Sequence, residues 1–584
     1  MFTTLVHTKQ HYDLLTDYKV MDNTYIISKN QQKFNGFEVN GSGIVNDKFL
    51  KHNQSYSKND VLSQSFDIEE IQFKMKGSVC LFIYDENETV IIPDPLGGAI
   101  LFYYDSPGIK VFSNSIDNII SILSELGIEV EKDFSYFLEN IATGNGGLTQ
   151  SPFKNIYALK QFSFLRIDKE KVHFTINKKI KEYIKNANTR NYDEVLNIAL
   201  HEIKSNLDIV SSHNNIGNKY SHLTGGFDSR LILSGLLAID KKNEYRYFCS
   251  GSKGSPDKDI SIALSKHFGL TQTNDSGQFI YKYPKSLKQE VIWSMNLTSG
   301  IIKTINPNIE QRDNVILSGG YGELMRSFYT RDNNYYSFNS FEDIVDKLWK
   351  NLNSNGLFTS NFKMKFVEKF RNVINDGLNL GFPEESILDY YYVAIRNRYF
   401  VGQISFYSSV YNSRFDPLYS CKIAIDTLFI YRNERNNNFL VLDLLKLLNE
   451  DLLYLPFDTP RINNDYKNSR ENVKEIQFKD NYEIVYENIN FAEKPDNNTR
   501  RQANKLDREK ANKMKARLWQ VVEMENMQES LIKILGEVDS HEIKENLREE
   551  KINNLLHQEI NNRPDLRTLN LLYSNLVWWI EKDE

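Results

Sequence analysis

The sequence predicts an α/β protein that begins with a strand-rich part and ends with a helical part. Short β-rich runs broken by turn residues dominate 1–180, and charged helical patterns fill 491–584. Between them, over 185–490, short strands alternate with longer helical patterns, which is typical of a doubly wound parallel sheet. We therefore predict three domains with these bounds, since 584 residues are too many for one ordinary core.

The first part contains apolar runs separated by turn signals, as expected of short strands. The clearest strand candidates are 80–84, 90–92 and 99–104. A helical periodicity over 116–126 follows Ser113, Asn114 and Ser115, which offer N-cap side chains. We expect strands at these runs and a capped helix after them.

The last part combines a basic run over 499–517 with an apolar stripe over 566–580. The basic run is interpreted as a solvated helix face, and the alternative is a grip on an acidic substrate or a nucleic acid. The stripe includes Trp578 and Trp579, and its flanks are acidic rather than basic. It therefore predicts a helix docked on the core rather than a membrane anchor.

Composition and charge favour a cytoplasmic enzyme and argue against several other classes. The net charge of −6 argues against a general nucleic-acid binder. Three widely spaced cysteines, Cys80, Cys249 and Cys421, make neither a zinc pattern nor a disulfide framework. We expect no signal peptide and no membrane span, because no basic-then-apolar start and no long apolar window is present.

Three glycine-containing loops in the middle part each follow a strand candidate. The strand candidates are 220–223, 245–249 and 314–317. Ligands of open α/β sheets bind at the carboxyl ends of strands, so the three loops should line one crevice. We expect a nucleotide there, with phosphates on the first loop, the base near Ser250 of the second, and the reacting carboxylate near Ser318 and Gly319 of the third.

The first loop carries the most informative motif of the chain. It reads Leu223-Thr224-Gly225-Gly226-Phe227-Asp228-Ser229-Arg230. Adjacent glycines allow a tight turn with positive φ and leave room for an anion, which the backbone N–H groups would bind. The hydroxyls of Thr224 and Ser229 add donors, and Asp228 offers a ligand for Mg²⁺. The alternative is a strand–turn–helix junction in which the glycines serve packing only.

Glu323 is the second carboxylate predicted to act in the crevice. Adenylation by ATP places growing charge on the leaving pyrophosphate, and Mg²⁺ held by Asp228 and Glu323 would neutralise it. The alternative is that Glu323 caps the helix that begins near Leu324. After the second loop, Ser255 and Pro256 are predicted at N-cap and N1, and Asp257 is interpreted as a first-turn cap.

The first loop resembles the pyrophosphate loop of ATP pyrophosphatases, and the chain to about residue 430 resembles class B asparagine synthetase and its relatives, β-lactam synthetase and lasso-peptide cyclases. The middle part shares Gly254-Ser255-Pro256-Asp257, Leu317-Ser318-Gly319 and Arg414-Phe415-Asp416-Pro417-Leu418 with that family. The first part shares the stretches 76–85, 94–98 and 111–114, and Val39-Asn40-Gly41 matches the family's Asn-Gly pair. The resemblance implies an Ntn-hydrolase-like α+β sandwich of the glutaminase type, a synthetase domain of the ATP-pyrophosphatase type, and ATP with Mg²⁺.

The sequence departs from this family at two positions that decide the chemistry. Active glutaminases of this type use a cysteine at position 2, whereas this chain has Phe2, and Cys80 falls within a strand pattern. The chain also has Gly320-Tyr321 where asparagine synthetases have Glu-Gly. We therefore expect a degenerate glutaminase domain and a product other than asparagine. The family's adenylate-steadying lysine is matched by either Arg461 or Lys467.

The resemblance implies an AMP-forming amide ligase that adenylates a carboxylate and couples it to an amine from a source other than glutamine. The carboxylate substrate is a small molecule or a peptide, and ring closure within one substrate is an open alternative. A precursor peptide or another biosynthetic protein is the partner class that this implies, with neither nucleic acid nor membrane. The competing interpretations are an ammonia-dependent amidotransferase, a non-catalytic nucleotide-binding protein, and a nucleotide-modifying pyrophosphatase.

Overall fold

The computed structural model of the chain describes most residues from 2 to 580. The residues left out within this range are 22, 28–35, 53, 55, 63–65, 85–86, 215–216, 252–253, 275–279, 281, 304–305, 330–340, 471–473, 475, 488–500 and 538–539. Residues 85–86, which follow the first predicted strand, and part of the second glycine loop, 252–253, lie outside the described residues.

The first region contains two antiparallel sheets. Its strands are β1 Thr4–Thr8, β2 Lys19–Met21, β3 Thr24–Ile27, β4 Phe37–Gly41, β5 Gly43–Val45, β6 Lys48–Leu50, β7 Val79–Tyr84, β8 Thr89–Pro93, β9 Phe102–Ser106, β10 Ile109–Ser113, β11 Ile156–Ala158, β12 Ser163–Ile167 and β13 Val172–Ile176. Its helices are α1 Lys58–Val61, α2 Ile68–Lys74, α3 Ile116–Glu125, α4 Phe134–Thr143 and α5 Lys178–Ala187. The strand orders are β11-β9-β10-β1-β3-β2 and β13-β12-β8-β7-β4, and β5 and β6 form a separate hairpin.

These two sheets form the central layers of a helix–sheet–sheet–helix arrangement. Alternate residues of β7 point to opposite faces, so Phe82 joins the core between the sheets and Leu81 joins the core beneath α1 and α2. The outer face of the other sheet packs against α3 and α4. The predicted strands and helix are confirmed, although the third strand begins at Phe102 rather than at 99. The Ser115 hydroxyl caps α3 by accepting from the Asn118 backbone N–H.

The middle region is built on a parallel sheet of order β18-β17-β14-β15-β16-β19. Its strands are β14 Asn218–His222, β15 Arg246–Phe248, β16 Thr271–Thr273, β17 Asn314–Leu317, β18 Ser413–Phe415 and β19 Val485–Glu487. Its helices are α6 Tyr192–Ser211, α7 Phe227–Ala238, α8 Pro256–Phe268, α9 Leu287–Leu297, α10 Phe341–Leu352, α11 Ser360–Leu380, α12 Ile387–Tyr391, α13 Gln403–Ser408, α14 Cys421–Asp426, α15 Arg432–Asn436, α16 Phe439–Leu448, α17 Glu450–Tyr454 and α18 Asn464–Ser469. A π-helix over Tyr392–Gly402 joins α12 to α13. The predicted parallel sheet is confirmed.

The last region is helical, as predicted. Its helices are α19 Lys505–Met514, α20 Leu518–Val522, α21 Met524–Glu537, α22 Ser540–Asn546, α23 Glu549–His557 and α24 Arg563–Ile580. Helix α24 packs against α4, α9 and α21, and the Trp578 indole N–H donates to Asn296 Oδ1 at 2.7 Å. The stripe that contains Trp578 therefore docks on the core. Within the described part of the chain, no helix is both long enough and apolar enough to cross a membrane.

Candidate functional site

The three glycine loops lie at one edge of the parallel sheet. Strand β14 pairs in parallel with β15 on one side and β17 on the other, so their carboxyl ends are adjacent. The Leu223 N–H donates to the Phe248 carbonyl at 2.8 Å, and the Ser318 N–H donates to the Phe415 carbonyl at 3.0 Å. These bonds extend the register into the first residues of the loops, so the described ends of the three loops lie side by side, while the nucleotide site between them stays a prediction.

The first loop is stabilised by its own hydroxyl groups. The Thr224 N–H donates to Ser229 Oγ at 3.0 Å, and the Ser229 hydroxyl donates to the Thr224 carbonyl at 3.2 Å. The Gly226 N–H points to Thr224 Oγ1 at 3.4 Å, and α7 begins directly afterwards at Phe227. Thr224 and Ser229 therefore shape the loop that leads into the N-terminus of α7.

The glycines of this loop have a role other than the predicted one. Neither Gly225 nor Gly226 has a positive φ, so that prediction was wrong. A Cβ on Gly225 would lie 2.5 Å from the Asp458 Cβ, so this glycine allows a close approach between two segments. A Cβ on Gly226 would meet only Thr224 Oγ1, at 3.7 Å. Gly226 thus leaves space at the start of α7 that the fold itself does not require.

Asp257 does more than cap its own helix. Its Oδ1 accepts from the Gly225 N–H at 3.0 Å, so α8 is tied to the first loop. Pro256 stands at N1 as predicted, whereas Ser255 occupies the N-cap position without a side-chain capping bond. Ser250 lies exposed at the start of the second loop. Asp257 lies in the first turn of α8 as predicted, and its carboxylate also binds the first loop.

Asp228 and Glu323 flank a common arginine. Arg326 donates to both carboxylate oxygens of Asp228, at 2.7 and 3.0 Å. Burial opposes the charge on Arg326, but the facing Asp228 carboxylate, with help from Glu323, raises the pKa of the guanidinium above its usual value. Glu323 Oε2 accepts a hydrogen bond from the Tyr392 hydroxyl. The two predicted carboxylates are therefore in one cluster, each with a partner that the sequence did not indicate.

The structure separates the two candidates for the adenylate-steadying cation. Arg461 pairs with Asp458 at 3.0 Å, and its guanidinium lies 5.4 Å from the Phe227 ring centroid at the start of α7. Asp458 is the residue that packs on Gly225, so Arg461 is held at the first loop. Lys467 is exposed on α18, and no described contact joins it to the loops. Arg461 is at the crevice and Lys467 is not.

The floor of the crevice contains a buried polar group around the third loop. Arg414 donates to Ser318 Oγ at 2.6 Å, and Ser405 donates to Asp416. Burial raises the pKa of Asp416. At the end of β14, burial and the nearby Arg414 lower the pKa of His222 to about 4, so His222 is neutral at pH 7. A Cβ on Gly319 would lie 2.7 Å from the Asp228 Cβ, which ties the third loop to the first.

These residues fit a polyphosphate better than they fit a bare metal ion. Arg326 and Arg461 bring two cations to the start of α7, where free space and the helix N-terminus favour an anion. Among the described residues, no group of three or more His, Cys, Asp or Glu is placed to hold a metal. Mg²⁺ binds through one or two carboxylates together with substrate phosphates, so Asp228 and Glu323 remain a suitable pair once phosphates are present.

In the first region, the residues around Phe2 form a closed cluster. Phe2 is 8% exposed and its ring stacks on Phe406, with centroids 4.9 Å apart. The Thr3 N–H donates to Asn40 Oδ1 at 3.3 Å, and Asn40 Nδ2 donates to Asn114 Oδ1 at 3.1 Å. Cys80 is fully buried in β7, as predicted, and burial raises the pKa of its thiol. The residues described in this cluster therefore present no accessible nucleophile.

Tyr321 of the third loop connects the two regions. It adopts φ +65°, is 1% exposed, and its hydroxyl lies 3.2 Å from Ser78 Oγ. Its ring packs on Tyr419, whose hydroxyl donates to Asp94 at 2.5 Å. Burial raises the pKa of Asp94 to about 6 despite this bond. Tyr321 is thus buried at the boundary between the two regions.

Sequence reasoning missed Arg326 and Asp458. Arg326 lies three residues after Glu323, and this spacing is a signal for neighbours on one helical turn. Asp458 also lies three residues before Arg461, but residues 458–461 contain Pro460 and are not helical, so the spacing gave no comparable signal. Tyr392 gave none, because its position depends on the π-helix. Models of known protein families give no match to this chain, and no curated protein matches it.

Proposed function

We propose that the protein is an ATP-dependent, AMP-forming amide ligase related to class B asparagine synthetases. The observation that carries this proposal is the convergence of three strand-end loops at the start of α7, where Asp228 lies and where Arg326 and Arg461 approach the Phe227 ring. Such a site offers an anion cradle, two cations and a carboxylate for a phosphate-bound metal. The helix–sheet–sheet–helix first region agrees with an Ntn-type glutaminase-like domain.

In this proposal, the substrate carboxylate attacks the α-phosphorus of ATP and the bond to the β-phosphate breaks. Arg326 and Arg461 stabilise the negative charge that develops on the α-phosphate and on the leaving pyrophosphate. Asp228 and Glu323 would hold Mg²⁺, which supplies further positive charge when bound. An amine then attacks the acyl carbon, AMP leaves, and the amine releases one proton.

The amine does not come from glutamine in this proposal, because Phe2 offers no nucleophile and its surroundings are closed. The Asp228–Arg326 pair gives one reason to keep a second candidate, a non-catalytic nucleotide-binding protein. This pair occupies both oxygens of Asp228. In the ligase, Arg326 must turn from Asp228 to the phosphates before the metal can bind.

The experiment follows the products of ATP. Purified protein is incubated with Mg²⁺, ATP labelled at the α- or γ-phosphate, and a panel of amino acids and short peptides as carboxylates. The proposal expects AMP and pyrophosphate in equal amounts with the correct carboxylate. ADP and phosphate would overturn it. ATP binding without any turnover, in all carboxylates tested, would favour the non-catalytic candidate.

A matched pair of glycine variants tests the site itself. Gly226→Val fills space that no described residue needs, so we expect normal folding and loss of ATP binding. Gly225→Ala clashes with Asp458, so we expect a loss of folding stability instead. Titration calorimetry with ATP and thermal unfolding separate the two effects. Unchanged ATP affinity in folded Gly226→Val would place the nucleotide elsewhere.

A further inference from the structure

A cavity of about 540 Å³ lies away from the three loops, where the C-terminal helices meet α4 and α9. Its walls come from α9, α20 and α24, from the π-helix, and from Ile302, Lys303 and Asn306. This volume is within the range of small-molecule sites. Nothing in the proposed adenylation site uses it.

Four aromatic side chains contribute to cavity walls that are otherwise a mixture of polar and apolar residues. These side chains are Trp293, Trp519, Tyr283 and Phe400. Lys303 adds a cation 5.1 Å from the Trp519 ring centroid, and its ammonium pairs with Glu290 at 3.2 Å. The walls therefore suit an apolar or aromatic body, and the charge of Lys303 is already balanced.

Two of the lining residues are themselves buried. Ser574 is 5% exposed and Asn575 is 1% exposed. Ser574 Oγ and Asn575 Oδ1 have no hydrogen-bond partner in the described part of the chain, and neither atom is accessible to solvent. Asn575 Nδ2 donates to the Leu571 carbonyl at 2.8 Å. These two side chains therefore shape the wall of the cavity rather than bind a ligand in it.

Arg517 supplies an unbalanced positive charge at the mouth. It is exposed, and its guanidinium has no hydrogen bond or ion pair with any described residue. The charged lining residues are Arg517, Lys303 and Glu290, so the net charge of the lining is +1. An arginine fork binds a carboxylate with two parallel hydrogen bonds.

We propose that this cavity binds a carboxylic acid with an aromatic or aliphatic body, of the kind found in an N-acyl amino acid. Arg517 binds the carboxylate, and the apolar body lies against the aromatic side chains of the walls. The same chemistry is present in a free N-acyl amino acid and in the C-terminal residue of a peptide. Binding requires no ATP, so it stands or falls independently of the ligase proposal.

Titration calorimetry and tryptophan fluorescence with the full-length protein test this proposal. The probes are N-acetyl-L-phenylalanine and, as its uncharged match, N-acetyl-L-phenylalanine amide. We expect the acid to bind about tenfold more tightly than the amide, and Arg517→Gln to abolish that difference. Arg508→Gln, an exposed arginine of α19 outside the cavity, is the matched control.

The outcomes separate cleanly. Equal binding of acid and amide, no binding of either at millimolar concentration, or an acid affinity unchanged by Arg517→Gln overturns the proposal. A hexapeptide with a free C-terminal phenylalanine is then compared with N-acetyl-L-phenylalanine. Tighter binding of the peptide assigns the peptide source, and tighter binding of the small acid assigns the free metabolite; either result supports the site.

Discussion

The closed cluster of the first region and the open crevice of the middle region are both built from polar residues at strand ends. In the closed cluster, Thr3, Asn40 and Asn114 bond to one another beside the packed ring of Phe2. In the crevice, the side chains of Asp228 and Arg461 remain 25% and 31% exposed. The chemical capacity of such a motif therefore depends on which polar atoms stay accessible to a ligand.

The largest expected effect comes from Asp228→Asn. If this variant kept its activity, the contrast between the closed cluster and the open crevice would no longer hold. Loss of a charge that stabilises the transition state costs about 3–4 kcal/mol, a hundredfold or more in rate. We expect this loss in AMP and pyrophosphate release, and Glu323→Gln should add little to it, because both change one metal site. Asp193→Asn, on the exposed first turn of α6, is the charge-matched control. If Glu323→Gln kept near-normal turnover, Glu323 would have only a structural role beside Tyr392.

Acidification should destabilise the protein through His222 of the middle region and stabilise it through Asp94 of the first region. The pKa of His222 is lowered to about 4 from 6.5, so its contribution is complete above pH 6.5 and is lost as pH falls toward 4. The pKa of Asp94 is raised from 3.8 to about 6, so its contribution is complete below pH 4 and is lost as pH rises toward 6. Each amounts to about 3 kcal/mol. In urea unfolding between pH 4 and 7, we expect His222→Gln to lose less free energy of unfolding on acidification than the wild type does. We expect Asp94→Asn to lose less free energy of unfolding as the pH rises. Unchanged pH profiles in both variants would contradict this.

Phe2 tests the closed side of the comparison. Phe2→Ala empties a packed position beside Phe406, so we expect the free energy of unfolding to fall by about 3 kcal/mol. Phe174→Ala, at a residue 45% exposed in β13, is the control and should cost less than about 1 kcal/mol. Glutamate production from glutamine by the wild-type protein should be absent. Glutamate formation that disappears in a variant of the first region would show that the cluster is open after all.

The smallest expected effect separates two cations on the open side. Arg461→Gln should weaken ATP-dependent turnover about tenfold, since it removes one charge-assisted contact at the start of α7. Lys467→Gln removes the same charge from exposed α18 and should change nothing measurable. Steady-state rates at saturating ATP and at low ATP assign the loss to turnover or to binding. A larger effect in Lys467→Gln than in Arg461→Gln would reverse the assignment.

The parallel sheet and its three loops were predictable because each depends on a local pattern. Strands β14, β15 and β17 lie within a residue or two of their predicted bounds, and the topology rule then places their ends together. The partners of the site residues were not predictable in the same way. Arg326 is separated from its partner Asp228 by 98 positions, and Tyr392 is separated from its partner Glu323 by 69 positions. These contacts depend on tertiary packing rather than on a local sequence pattern.

The conformation of the glycines was the clearest misjudgement. Adjacent glycines predict positive φ, yet in the first loop the constraint comes from the backbone of a distant segment that packs on Gly225. In the third loop, the positive φ is carried by Tyr321 rather than by its glycines. Local propensity did not show this, because the surroundings of Tyr321 belong to the first region.

The burial of Tyr321 has a consequence for how such a chain changes over generations. Tyr321, Phe406 and Tyr407 belong to the middle region, but they face Ser78, Gly98 and Phe2 of the first. A gene shortened to its later half would expose these three rings to water, and its product would tend to aggregate. The first region therefore serves as a lining for the second, whether or not its own strands carry any chemistry.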